Sequence, residues 1–177
     1  MNTTLPYIKY IADMEHYNDV LSMALSTKHE LWLGTSDLKD LYVRRGREVI
    51  PFLEVLSILL RRNVEVRLLH AKQPGEIFMK ELHSYPILRN QLLRMRCPRV
   101  HFKIIIIDWH TAYIGSANLT GAGMGIKSQF RRNFEAGILT NESSLVDAAI
   151  KHFDSVWSGS HCSQCGRKTV YGSNCRV

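Results

Sequence analysis

The sequence predicts an α/β fold, a mixed β-sheet sandwiched between helices, followed by a short Cys-rich C-terminal tail. Three observations carry this expectation. Short β-rich runs alternate with longer stretches of helical period, and two β-rich runs near the middle are joined by a few turn-like residues. The chain also has 177 residues, of which 45% are hydrophobic and 22% charged. A chain of that size hides roughly 70% of its unfolded surface, so a real core is expected. The composition excludes disorder, collagen-like repeats and a disulfide-built miniprotein. There is no internal repeat of solenoid length and no low-complexity tract.

Residues 11–25 place Ile11, Met14, Tyr17, Leu21, Ala24 and Leu25 at helical spacing, predicting an amphipathic first helix. Residues 30–34 read as a buried strand closed by Thr35, Ser36 and Asp37. A second helix is expected over 48–61, with Ile50, Phe52, Leu53, Leu56, Leu59 and Leu60 on one wide face and Asn63 as its stop. Residues 64–69 read as a strand, and 77–95 as helix with a break at Pro86. Two β-rich runs, 100–107 and 112–115, joined by Asp108, Trp109, His110 and Thr111, have the pattern of a hairpin. A further strand over 134–139 and a last amphipathic helix over 145–157 complete a domain of residues 1–158. Residues 159–177 form the tail.

The first residues lack a basic segment leading into an apolar one and a small-residue cleavage site, so no secretory leader is expected and the default compartment is the cytoplasm. No stretch approaches ~18 uninterrupted apolar residues, which argues against a membrane span. In a reducing compartment the four cysteines, Cys97, Cys162, Cys165 and Cys175, stay thiols and become candidates for metal rather than bridges. The formal charge is +7 and the isoelectric point is near 9.4. Arginine leads this excess, in clusters that include Arg44, Arg45 and Arg47, Arg94, Arg96 and Arg99, and Arg131 and Arg132. Arginine forks suit phosphate oxygens, although a solvated basic surface has the same composition.

Chemistry concentrates in one span. His101 and Lys103 stand two residues apart on an expected strand and so face the same side, about 6.5 Å apart along the chain. Ser116 and Asn118 repeat that spacing at the end of the expected partner strand, behind Gly115, where the missing side chain lets backbone approach a ligand. The result is one wall with an imidazole, an ammonium, a hydroxyl and an amide, a nucleophile plus donors for phosphoryl oxygens. A lone strand histidine is more often a satisfied core residue. That reading must also bury an unpaired lysine beside it, which is expensive. A bound anion accounts for both.

The pattern H-x-K-x4-D-x6-G-S-x-N, complete from His101 to Asn118, resembles the signature of the phospholipase D superfamily, and Arg132-Asn133-Phe134-Glu135 resembles the place where its single-motif nucleases carry an acidic residue. The resemblance implies a phospholipase D-like fold and phosphodiesterase chemistry. It implies that His101 attacks phosphorus, that Lys103, Ser116 and Asn118 hold the phosphoryl oxygens, and that Glu135 orients His101 through its other ring nitrogen. Asp108 becomes a supporting residue away from the phosphate, and no catalytic metal is implied.

Cleavage by a histidine nucleophile also needs an acid for the leaving oxygen. Many superfamily members carry a second motif copy. Here His70-Ala-Lys72 repeats only H-x-K, with Ile77 where the aspartate would stand, and reads as the polar end of a strand. A C2 homodimer sharing one cleft is therefore expected. Arg99, Arg131 and Arg132 are the candidate phosphate or nucleic-acid contacts. Among substrates, nucleic acid is favoured by the basic balance and by the lack of an interfacial helix. Phospholipid headgroups are the alternative, and a binding module without turnover a second one.

In the tail, Cys162-x2-Cys165 has zinc-knuckle spacing and Cys175 follows. Cys97 completes four ligands, with His161 as its rival, for a structural rather than catalytic zinc. Free thiols or a redox pair are the plainer readings. Trp32, Trp109 and Trp157 each lie in or beside an apolar run and read as packing residues.

Overall fold

The computed structural model describes residues 5–39 and 41–166. Its strands are β1 (Ile8–Ala12), β2 (Glu30–Thr35), β3 (Tyr42–Arg45), β4 (Glu48–Pro51), β5 (Glu65–His70), β6 (Leu93–Arg96), β7 (Lys103–Ile107), β8 (Thr111–Gly115) and β9 (Ala136–Thr140). A π-helical stretch, His16–Leu21, runs into the short α1 (Ser22–Ala24). The other helices are α2 (Phe52–Arg61), α3 (Glu76–Ser84), α4 (Pro86–Gln91) and α5 (Ser143–Trp157). Seven strands form one sheet in the order β1-β9-β8-β7-β2-β5-β6, while β3 and β4 make a separate hairpin. β2, β5 and β6 run parallel to one another, and the remaining neighbours are antiparallel. The expected mixed sheet between helices is the fold observed.

β7 is central, and all five of its residues are buried. An uninterrupted aliphatic run is what a strand covered on both faces requires. Its alternate side chains feed two separate cores. Ile105 and Ile107 join Leu31, Leu33, Val66 and Leu68 beneath α2, α3 and α4. Ile104 and Ile106 join Trp32 and Leu69 against Val146, Ala149 and Phe153 of α5. Trp32 and Trp157 behave as packing residues in that second layer: Trp32 is 3% exposed, with Phe153 at 5.2 Å, whereas Trp109, in the hairpin turn, is 55% exposed although its ring stands 5.8 Å from Trp32.

The structure differs from the sequence expectation at four places. The expected helix over 11–25 is a strand followed by a helical stretch, broken at Asp13, whose φ of 47° no helix continues. The N-terminal part of the expected helix over 48–61 is β4, paired in a hairpin with β3 around Gly46 at φ 62°. The end of the expected helix over 77–95 is β6, which pairs with β5. Finally, β7 starts at Lys103, so His101 lies ahead of the strand rather than within it. After α5 the chain continues in turns to Gly166, and the rest of the tail, Cys175 included, lies outside the described residues.

Candidate active site

Strand register assembles the site. Lys103 at the start of β7 pairs with Gly115 at the end of β8, and Gly115 pairs with Gly137 near the start of β9. One row across three strands therefore collects the ends that carry His101, Ser116 and Glu135. The glycines are sterically required. A Cβ at Gly115 would overlap the Tyr113 hydroxyl and stand 2.7 Å from the Ala136 carbonyl, and one at Gly137 would meet the Ile114 carbonyl at 2.9 Å. The fully buried Tyr113 ring fills the space that these residues leave. Its hydroxyl accepts the Ala117 N–H at 3.3 Å, steadying the stretch between Ser116 and Asn118. Burial raises the Tyr113 pKa well above its ordinary value, so the group stays protonated.

His101 is exposed, whereas Lys103 is 7% exposed. The Lys103 ammonium donates to the His101 carbonyl at 2.7 Å, tying the backbone of His101 to the strand. Burial pulls the Lys103 pKa down, and the nearby Glu135 carboxylate partly restores it. The Ser116 hydroxyl donates to Glu135 Oε2, and the Ala136 N–H donates to Ser116 Oγ at 3.0 Å. The Asn133 amide donates to Glu135 Oε1 at 2.9 Å. Both Glu135 oxygens are thus engaged by Ser116 and Asn133. The expected partner of Glu135 is the His101 ring; in the structure its oxygens hold Ser116 and Asn133, and each keeps acceptor capacity for a further donor.

Asn118 is locked from the opposite direction. Its Oδ1 accepts from the Ser36 N–H at 3.1 Å, the Ser36 hydroxyl at 2.8 Å and the Asp37 N–H at 3.1 Å, while the Leu119 N–H donates to Thr35 Oγ1 at 3.1 Å. With its oxygen saturated by donors, the amide presents its NH2 as the group able to bind an anion. The loop after β2 is therefore part of the site's scaffold.

Asp108 stands at the far end of β7, about 16 Å along the strand from Lys103. Its carboxylate accepts the N–H groups of Lys28 at 3.0 Å, His29 at 2.7 Å and Glu30 at 3.0 Å. Burial pushes this carboxyl up, but the backbone donors of Glu30, Lys28 and His29 outweigh it and hold the pKa below the ordinary value. Asp108 and Trp109 both adopt positive φ, 51° and 56°, the pair of conformations that a tight hairpin turn demands. Asp108 belongs to the turn and not to the row that carries Lys103 and Gly115.

Of the other singled-out residues, Arg99 and Arg131 are exposed, and Arg132 pairs with Asp13 at 3.7 Å. His70 is fully buried. Its Nδ1 lies 2.9 Å from the Lys72 carbonyl, and burial lowers its pKa to about 4. Lys72 bonds Asp37 at 3.1 Å, so this second H-x-K faces no shared site. Cys97, His161, Cys162 and Cys165 line one cavity. Among the described residues, no group of three or more His, Cys, Asp or Glu is positioned to hold a metal ion.

Two residues beside the site escaped the sequence reading. Phe130 and Phe134 are 96% and 98% exposed, in a stretch, 121–134, that carries Lys127, Arg131 and Arg132 and no carboxylate. An apolar residue opening an apolar run reads as strand core in one dimension, so no sequence signal marked Phe134 as exposed.

A family model described as "Cardiolipin synthase, PLD-like domain" matches residues 20–157. Among solved structures, NucT from Helicobacter pylori superposes with a TM-score of 0.65 at 13% identity, covering 87% of this chain and 97% of that one. Nuc from Salmonella typhimurium, a phospholipase D family member, gives 0.63 at 18% identity, covering 87% and 95%. The phosphatidylserine synthase of Haemophilus influenzae Rd KW20 gives 0.58 at 13% identity, covering 85% of this chain and 38% of that one. A comparison with curated protein sequences finds no match. No helix among the described residues is long and apolar enough to cross a membrane. The matched family spans most of the chain, and the motif residues other than Asp108 gather at one end of its sheet: the chain belongs to the phospholipase D superfamily, as a single-motif member.

Proposed function

We propose that the protein is a cytoplasmic, metal-independent nuclease that cleaves phosphodiester bonds through a phosphohistidine at His101, in an active site shared by two copies of the chain. The observation that carries this reading is the pairing of an exposed His101 with a buried Lys103, at the row where Ser116, Asn118 and Glu135 also end. A buried cation beside an exposed imidazole suits a tetrahedral anion better than it suits a core. Lys103 and the Asn118 NH2 bind nonbridging oxygens. The Ser116 hydroxyl gives its one proton to Glu135 in the free site and becomes a third donor by turning that proton to the bound phosphoryl oxygen.

In the first step the His101 nitrogen forms a bond to phosphorus as the bond to the leaving oxygen breaks, and a second acid gives that oxygen its proton. In the second step water attacks the phosphohistidine, its proton passes to the group that served as acid, and the His101–phosphorus bond breaks. His101 cannot be both nucleophile and acid, and His70 is buried with a depressed pKa. The acid is therefore assigned to His101 of the partner subunit, which a C2 dimer would bring to the same phosphorus. Arg99 and Arg131, the net charge of +7, and the carboxylate-free stretch with Phe130 and Phe134 suit a polyanion carrying stackable bases.

The test is one panel in EDTA: plasmid, single-stranded DNA, RNA and phosphatidylcholine vesicles, each with the wild type and with His101→Asn. Nuclease activity that survives chelation and vanishes in the variant is expected. Headgroup release alone would replace the reading with lipid chemistry, and binding without cleavage by either protein would reduce it to a binding module.

A further inference from the structure

We propose, on the basis of the nuclease reading of the site, that Phe130 and Phe134 form a stacking platform for the unpaired bases of a single-stranded polynucleotide. The loop that carries them, and not the phosphate-binding groups alone, then sets which form of nucleic acid is bound. Phe130 is 96% and Phe134 98% exposed, the two highest values among the large apolar side chains of the described residues. Exposed apolar residues scattered singly are ordinary. Two rings within five residues, ending beside the site, are not scattered.

The loop is fixed along its length. Met124 is fully buried in the core. Gly125, at φ 72°, lies so close to the backbone of Asp13 that a Cβ would stand 2.6 Å from its carbonyl. The Arg132 guanidinium pairs with the Asp13 carboxylate at 3.7 Å. Between these anchors the Ser128 carbonyl accepts the N–H groups of Arg131 at 2.8 Å and Arg132 at 3.0 Å, closing a turn around Phe130. The Asn133 N–H donates to the Ala122 carbonyl at 3.1 Å, and the Asn133 amide donates to Glu135 at 2.9 Å. Phe134 thus stands between two residues whose side chains hold each other. A backbone tied at so many points keeps both rings in water and needs little further ordering when a base arrives, which is how a preformed site gains affinity.

Position and charge select the occupant. Phe134 directly precedes Glu135, which bonds Ser116, and consecutive Cα atoms are about 3.8 Å apart. A base hangs from its phosphate through a sugar, so its platform belongs beside the phosphate-binding groups rather than among them. Phe130 is four residues further off, at most about 14 Å of chain, which keeps both rings within a few nucleotides of the scissile bond. The order Phe-Arg-Arg-Asn-Phe interleaves rings with cations as a strand interleaves bases with phosphates. Lys127 and Arg131 are exposed, and no carboxylate in 121–134 repels the polyanion. A phospholipid surface instead layers its charges over its apolar interior, and calls for rings at a tip with cations behind them. Stacking needs a free π-face. Duplex bases offer none, and wedging a ring between their steps costs unstacking energy. The occupant is therefore a single strand.

The test titrates fluorescein-labelled single-stranded oligonucleotides, DNA and RNA in separate arms, and a duplex of the same sequence. The protein is the full chain in EDTA, carrying His101→Asn so that the strand survives. Adding Phe130→Ala or Phe134→Ala should weaken single-strand binding by about 5-fold to 150-fold each, with duplex binding held within about twofold. Tyrosine at either position should restore affinity, and leucine, apolar but without a π-face, should not. Arg131→Ala should lower the salt slope by about 0.7. Melting temperatures should not move, because both rings face solvent. Single-strand affinity unchanged in both alanine variants, or duplex affinity lost equally, would overturn the platform. So would alanine variants that lose binding to phosphatidylglycerol vesicles, or that sediment as monomers where the parent is a dimer, with oligonucleotide binding intact. Single strands bound through the rings but never cleaved by the His101 protein would sink the nuclease reading alone. Cleavage with both rings replaced and affinity unchanged would sink the platform alone.

Discussion

Replacing Asp108 by alanine separates a turn anchor from a catalytic acid within the same motif. The carboxylate accepts three backbone N–H groups at 2.7–3.0 Å, and a hydrogen bond to a charged group contributes about 1.5–3 kcal/mol. Three donors sharing one half-buried carboxylate fall at the low end of that range each. An alanine at φ 51° adds about 1 kcal/mol of left-handed strain. The expected loss is about 5–6 kcal/mol in urea unfolding, with Asp108→Asn losing about half as much, because it keeps one acceptor oxygen and tolerates positive φ. The acid limb has the same origin. The folded carboxyl titrates below its unfolded value of about 3.9, so its contribution is complete above that value and is lost as pH falls through the folded pKa. Asp108→Ala should flatten that limb. Turnover per folded molecule should stay within about threefold. An alanine variant of unchanged stability, or one of normal stability with turnover lowered a hundredfold, would refute the assignment.

Three further substitutions follow from the same contacts. Asn118→Asp keeps the oxygen that holds Ser36 and Asp37 but turns a negative charge on the phosphate in place of the NH2; melting should change little while turnover falls at least about a hundredfold, checked by paired thermal and kinetic assays. Lys103→Met removes a buried ammonium, so urea stability should hold or rise by about 1 kcal/mol while activity is lost. Gly34→Ala puts a Cβ 2.5 Å from the Phe102 ring, which Phe153 and His152 confine. It should cost about 1–3 kcal/mol in urea unfolding and lower turnover by displacing the neighbouring His101.

What the sequence made legible was decided by the range of the interactions. β7 and β8 could be read because their apolar runs and turn are local, and the motif residues because their spacing is a property of the chain alone. β1 could not: Ile8 and Tyr10 are exposed on an edge strand, and the buried Ile11 falls into helical step with Met14, Tyr17 and Leu21. In β3 and β4, the pairing of Arg45 with Glu48 across a glycine turn hides a hairpin among charges. β6, Leu-Arg-Met-Arg, acquires strand form only by pairing with β5. The same holds within the site. The lock on the Asn118 oxygen joins residues more than eighty positions apart, and the hydrogen bond between Ser116 and Glu135 depends on how β8 meets β9. Spacing names the candidate groups, while only the sheet decides which of them hold one another.

The covalent intermediate is the most direct test of the whole account. Protein mixed with a cleavable oligonucleotide, quenched in alkali within the first turnover and analysed by peptide mass spectrometry, should carry a phosphoramidate-linked fragment on the His101 peptide. The adduct should be stable to base, labile to acid and absent from His101→Asn. Cleavage that proceeds with no adduct on His101, or that continues undiminished in His101→Asn, would contradict it.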